Sequence, residues 1–294
     1  MIVRIKIFIL STTLLLVFTT VQSQNKPEVL LRIDDIGMNH AINTAIEDVC
    51  KTGIPFSASV MFACPWYQEA VEILKKYPNA DVGIHLTLTS EWRYYRWGPI
   101  TGASAVPSLV DSLGYFFKNE DEFLKSDFTL ADVEEELTAQ IERALQSGLK
   151  ITYMDPHMGV VFLTPELTAL TEKLAKKYNL GLSTLGRNTY YGESFKDMWA
   201  VAVDKKKSEF LAHLNNLKAD RPNVIMLHIA RRDAEIDVLE MPNFLVRQNG
   251  VPMVGQHRQA ELNMLLSPEF QDAVGKKFRL ITYRELISRQ STTK

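Results

Sequence analysis

The segment Arg32-Ile33-Asp34-Asp35-Ile36-Gly37 carries an apolar run, Val29-Leu30-Leu31, straight into two adjacent carboxylates. Neighbouring acids repel and both lose solvation on burial, so a buried pair needs compensation. A solvated turn at a strand end would supply it, and so would a bound cation. Three further apolar runs lead into residues of the same kinds. His85 lies in Val82-Gly83-Ile84-His85-Leu86, Asp155 and His157 follow Ile151-Thr152-Tyr153-Met154, and His228 follows Val224-Ile225-Met226-Leu227. One carboxylate and two imidazoles form a divalent-ion site that keeps positions open for water and substrate. A second carboxylate alongside can take a proton as general base. A lone histidine after an apolar run is more often structural, and an acid pair is most often a turn. The joint placement at four run ends is what points to chemistry.

The elements that position these residues alternate. Apolar runs at 29–33, 56–62, 82–88, 151–154, 180–184, 224–227 and 278–282 read as strands. Helical periodicity falls at 41–51, 66–77, 129–146, 165–178, 210–217 and 262–266. The strongest helix places Leu130, Val133, Leu137, Ile141 and Leu145 on one side, with Thr129 as its cap. Residues 91–127 read as a long irregular insert. Such alternation predicts an α/β fold with a parallel sheet, best matched by a TIM-barrel-like (β/α) barrel, incomplete at seven strands. A doubly wound open sheet is the alternative, weakened because no Gly-rich nucleotide loop follows the first strand. In a parallel barrel the C-terminal strand ends converge on one mouth, which delivers both acids and all three histidines together.

The 294 residues carry a net charge of −2 and are 46% apolar, which fits one globular domain and gives nucleic acid no basic stripe to bind. The first residues read differently. Arg4 and Lys6 precede an apolar and hydroxylic run at 7–20, too short to span a bilayer comfortably, and Val21-Gln22-Ser23 suits a signal peptidase. Residues 1–23 are therefore expected to be a cleaved signal peptide, with one domain at 24–294, a secreted or periplasmic location and no membrane contact in the mature form. An uncleaved anchor is the alternative. Cys50 and Cys64 are expected as unpaired, half-buried thiols, because a domain of this size needs no disulfide.

The insert holds Trp92, Tyr94, Tyr95 and Trp97 close together. Aromatic faces stack on sugar rings, although rings are as readily buried to pack a loop. Arg93, Arg96, Arg231 and Arg232 read as solvated, with an acidic sugar as the other option. Arg258 and Glu261, one helical turn apart, read as a simple ion pair.

At "RIDDIGMNHAIN", "GIPFSASVMFACPWYQEAVEI", "YPNADVGIHLTLT", "PSLVDSLGYF", "EELTAQIERALQSGLKITYMDPHMG" and "NVIMLHIA", with a weaker "HRQAELNMLLSPEF", the chain resembles the YdjC-like carbohydrate deacetylases, the group that includes chitooligosaccharide deacetylases. The resemblance implies a distorted (β/α) barrel and one divalent ion held by Asp35, His85 and His157; two imidazoles and a carboxylate suit zinc, with magnesium or another divalent ion as the other option. It implies Asp34 as general base and His228 as general acid or oxyanion stabiliser. Trp92, Tyr95, Trp97, Asp155 and Arg258 are added as candidate substrate contacts. Two departures stand out. The family commonly reads D-S-H-x-H where this chain has Asp155-Pro156-His157-Met158-Gly159, and His-Pro-Gly where it has His228-Ile229-Ala230. The reading that results is metal-dependent removal of N-acetyl groups from amino sugars or oligosaccharides. Another glycan amide or ester hydrolase and a non-catalytic periplasmic glycan receptor are the rivals. The reading leaves a homodimer open.

Overall fold

Nine residues from Glu28 to Ile36 form the central strand, β1, and all but the first are buried. This is a computed structural model describing residues 26–183, 201–240, 247–248 and 251–291; residues 1–23 of the expected signal peptide lie outside it. After β1 come α1 (His40–Lys51), β2 (Phe56–Val60), α2 (Tyr67–Leu74) and β3 (Ala80–Leu86). The insert carries a 3-10 turn (Pro107–Leu109) and a short α3 (Glu120–Lys125), so it is less irregular than its sequence suggests. Then follow α4 (Leu130–Gln146), β4 (Ile151–Pro156), α5 (Pro165–Tyr178), β5 (Gly181–Leu182), α6 (Lys206–Leu214) and β6 (Asn223–Leu227). A small antiparallel pair, β7 (Arg247–Gln248) and β8 (Val251–Pro252), precedes α7 (Val254–Leu266), α8 (Pro268–Ala273), β9 (Arg279–Ile281) and α9 (Tyr283–Ser291).

The main sheet has seven strands in the order β5-β4-β3-β2-β1-β6, with β9 added on β1, and every pairing in it is parallel. This is a distorted (β/α) barrel with the strand count that the alternation predicts. Among the described residues β5 and β6 end the path without pairing to each other. Parallel strands covered on both faces are mostly buried, completely so in β2 and β3, which explains their near-continuous apolar runs.

Strand periodicity divides each strand between two faces. Val29, Leu31 and Ile33 pack in the large cluster shared with the helices, whereas Leu30 packs with Tyr153, Val224, Ile281 and Tyr283. Continuing by twos on that second face gives Arg32 and Asp34 on β1, Gly83 and His85 on β3, Tyr153 and Asp155 on β4, and Met226 on β6. Gly83 is required there, because a Cβ would sit 2.3 Å from the Tyr153 ring. The Tyr153 hydroxyl, passing over Gly83, lies 3.0 Å from the Ser59 hydroxyl on β2. The chemical residues thus form the layer above a packed apolar floor.

Two expectations about packing need correction. Leu130 and Leu145 are 42% and 40% exposed, and Glu136, Gln140 and Ala144 take their share of the buried face of α4. Steps of four residues drift by about 40° each at 3.6 residues per turn, so Leu145 has rotated off the stripe and Ala144 replaces it. The two buried polar residues hold backbone in place. The Gln140 amide bonds both backbone groups of Thr87, and Glu136 accepts from the Ile100 and Thr101 backbones. The insert is thereby fastened to α4. Cys50 and Cys64 are unpaired, as expected, but both are fully buried.

Candidate metal centre

Successive side chains on an extended strand face opposite ways, so Asp34 and Asp35 can share a site only where β1 breaks. It breaks there. Asp35 has a left-handed backbone, φ 64°, and the β1–β2 register shifts between Ile33 and Ile36. Gly37, φ 88°, is a second left-handed residue, and the Met38 N–H donates to the Asp35 carbonyl at 3.0 Å. The bend falls on Asp35 itself, with Gly37 completing the turn. A left-handed aspartate costs on the order of 1 kcal/mol and is tolerated where the site requires it.

The bend brings Asp35 Oδ1 to 3.6 Å from His85 Nε2 and 3.4 Å from His157 Nδ1. That oxygen is buried and has no hydrogen-bond partner. The other nitrogen of each ring is braced by an acid: His85 Nδ1 lies 3.0 Å from Asp155 Oδ2, and His157 Nε2 lies 3.0 Å from Glu91 Oε2. Ligating histidines characteristically have a carboxylate on the far nitrogen, which fixes the ring and raises its basicity. The Arg258 guanidinium donates to Asp35 Oδ2 at 2.6 Å, so Oδ1 is the oxygen left for an ion.

The charges agree with the geometry. Asp34, Asp35, Glu91 and Asp155 are buried acids, offset among the described residues around them by the buried Arg32 and Arg258. With both imidazoles neutral, as metal ligands must be, two negative charges remain over, the charge a divalent ion neutralises. Burial would lower the His157 imidazolium, yet Glu91 and Asp35 outweigh it and push it up to about 10. Burial likewise opposes the His85 imidazolium, and Asp155 and Asp34 raise it. Burial alone would raise the Asp35 carboxyl, but Arg258, His157 and His228 hold it well below the usual carboxylate range. The Asp34 carboxyl, also raised by burial, is brought below its ordinary value chiefly by Arg32. The same carboxylates that raise both imidazoles would attract a divalent ion, which binds in place of their protons. The residues present fit a divalent ion on Asp35, His85 and His157; the alternative set of Asp34, His85 and Asp155 is already served by the Arg32 guanidinium.

The remaining sequence candidates fall as follows. His228, half-buried at the end of β6, lies close enough for its charge to bear on both Asp34 and Asp35. Its backbone N–H donates to Glu261 Oε2 at 2.7 Å, and Glu261 Oε1 accepts from the buried Lys206 at 2.8 Å. Arg258 and Glu261 are therefore not a simple pair: each leaves α7 for a different part of the site. Asp155 stands behind His85 with no exposure. Trp92 and Trp97 are 1% and 5% exposed and present no open face. Trp92 donates to the Met38 sulfur and lies under Arg258, while Trp97 meets the edge of His157, ring centroids 6.1 Å apart. Tyr95 is half-buried with its hydroxyl on the Met38 carbonyl. Of the arginines expected to be solvated, Arg96 is tucked against Asp111, whereas Arg231 and Arg232 make exposed pairs with Asp48 and Asp237. Gly159, in place of the histidine, adopts φ 75° beside Met158 at φ 51°, a double left-handed turn that favours glycine.

Sequence reasoning missed Glu91, read only as the start of the insert, and Arg32, read only as part of the approach to the acids. Glu91→Ala is expected to weaken divalent-ion affinity by about 10–100-fold, the usual worth of such an outer partner. Calorimetric titration of the metal-free protein checks this, and unchanged affinity would contradict the role.

Comparison with known proteins places this chain in a family. The family model described as YdjC-like protein matches residues 28–276. The chain belongs to the YdjC-like family. Among its relatives, a Vibrio campbellii protein named carbohydrate deacetylase is 28% identical over 270 residues, covering 89% of this chain and 97% of the relative. A Listeria monocytogenes protein of the same name is 26% identical over 264 residues, covering 88% and 100%. A crystal structure of an Enterococcus faecalis V583 protein, provisionally named for cellobiose-phosphate cleavage, superposes with a TM-score of 0.69 at 25% identity, covering 89% of this chain and 99% of that one.

Proposed function

We propose that the protein is a metal-dependent hydrolase that removes N-acetyl groups from amino sugars or their oligosaccharides. The observation that carries this reading is the orphaned Asp35 Oδ1 facing two histidines, each braced by its own acid. The names of the two relatives, both carbohydrate deacetylase, support the substrate class.

A divalent ion, magnesium or zinc, held by Asp35, His85 and His157 would lower the pKa of a water and polarise the amide carbonyl. Asp34, held ionised by Arg32, takes the proton of the attacking water. His228, less buried than the other site residues, donates a proton to the departing sugar amine. Water and amide thus become acetate and a free amine. A screen of N-acetylated and O-acetylated saccharides for acetate release tests the reading. Turnover of N-acetylated sugars supports it; release from O-acetyl esters alone would replace it with an esterase, and tight binding without release with a receptor.

The location belongs to the same proposal. Residues 1–23 are an export signal, so the mature protein begins near Gln24 and works in the periplasm or outside the cell. No helix among the described residues is long and apolar enough to cross a membrane. Mass spectrometry of the native protein should find an N-terminus near residue 24; a retained Met1 on membrane-bound protein would favour an anchor.

A further inference from the structure

Arg32 is 5% exposed, on the same face of β1 as Asp34 and two residues before it. Its Nε donates to Asp34 Oδ1 at 2.8 Å and Oδ2 at 3.1 Å, and its Nη2 donates to Asp34 Oδ2 at 2.8 Å. The same Nε lies 3.4 Å from Asp155 Oδ2, the oxygen that braces His85. One guanidinium therefore touches both the acid assigned as base and the acid behind a metal-binding ring. We propose that Arg32 is a positioning residue that fixes the plane of the Asp34 carboxylate, so that its free lone pairs face the attacking water, and ties that plane to the Asp155–His85 pair. The proposal rests on the reading of Asp34 as general base.

Simple charge compensation would need no fork. A buried ammonium would serve two acids as a point charge, but it could not set the plane of a carboxylate by paired N–H bonds. The β1 bend makes such control necessary. Asp35 is held by its own left-handed backbone and by Arg258, whereas Asp34 depends on a partner to choose its rotamer. Arg32 in turn meets the Met226 sulfur on β6, which keeps the guanidinium in the barrel interior.

Arg32→Lys keeps the charge and removes the fork. It is expected to lower kcat for acetate release by roughly ten- to hundredfold, the scale of a misplaced reacting group, with KM and metal stoichiometry near wild type. In an Asp34→Asn background the same change should cost nothing further, because Arg32 acts through Asp34. Full kcat in Arg32→Lys, or losses that multiply in the double variant, would overturn the proposal. If Arg32→Lys does not fold, Arg32→Gln is measured in its place with the same expectations. A crystal structure of the variant supplies the readout that does not depend on turnover. The Asp34 carboxylate should be rotated while Asp35, His85 and His157 stay in place; an unmoved carboxylate would overturn the positioning role. Absence of acetate release from any saccharide by the wild type would defeat the functional reading alone, and the crystal structure would still decide Arg32.

Discussion

Asp34→Asn is expected to keep metal and N-acetylated sugar binding near wild type while acetate release falls about a hundredfold or more, the usual range for losing a general base. The amide keeps the size of the carboxylate and one acceptor for Arg32, so the packing around it survives. It cannot take a proton. Asp35, in its left-handed turn, still presents Oδ1 to His85 and His157, and Arg258 still occupies Oδ2. Steady-state kinetics alongside metal analysis separates the two effects. A rate within a few-fold of wild type would remove Asp34 from the mechanism.

The second large effect is on the ion itself. His85→Ala and His157→Ala should each lose most bound metal, exceeding the roughly 10–100-fold that an outer partner such as Glu91 is worth. Each substitution also removes the imidazole beside a buried acid, Asp155 or Glu91, at a cost on the order of 1–3 kcal/mol. The barrel should nevertheless remain folded, because its floor of Leu30, Tyr153, Val224, Ile281 and Tyr283 lies in a separate cluster from the ligands. Elemental analysis with circular dichroism checks both halves. Stoichiometric metal in the double variant would sink the assignment.

Much of this was legible in the sequence because strand ends carry it. The seven strands of the sheet all announce themselves as apolar runs, and a parallel barrel sends their C-terminal ends to one mouth. Asp34, Asp35, His85 and His157 could be grouped on that ground before any contact was known. Glu91 could not. It reaches His157 only through the path of the insert, which is set by the Gln140 and Glu136 hydrogen bonds to a distant stretch of backbone. Arg258 was visible as a charge on a helix, but i,i+3 spacing favoured Glu261 as partner, whereas burial gave each a stronger one elsewhere. Trp92 and Trp97 mislead for a related reason. A run of aromatic residues reads alike whether its rings face a sugar or support a site, and here they lie against Arg258 and His157.

The central claim is that a divalent ion on Asp35, His85 and His157 drives N-acetyl hydrolysis. It is tested most directly by following acetate release and bound metal together as the wild-type protein is stripped with chelator and then reloaded. The account predicts that release disappears with the ion and returns in proportion to its restoration, saturating at one ion per chain. Full acetate release from rigorously metal-depleted protein would contradict it.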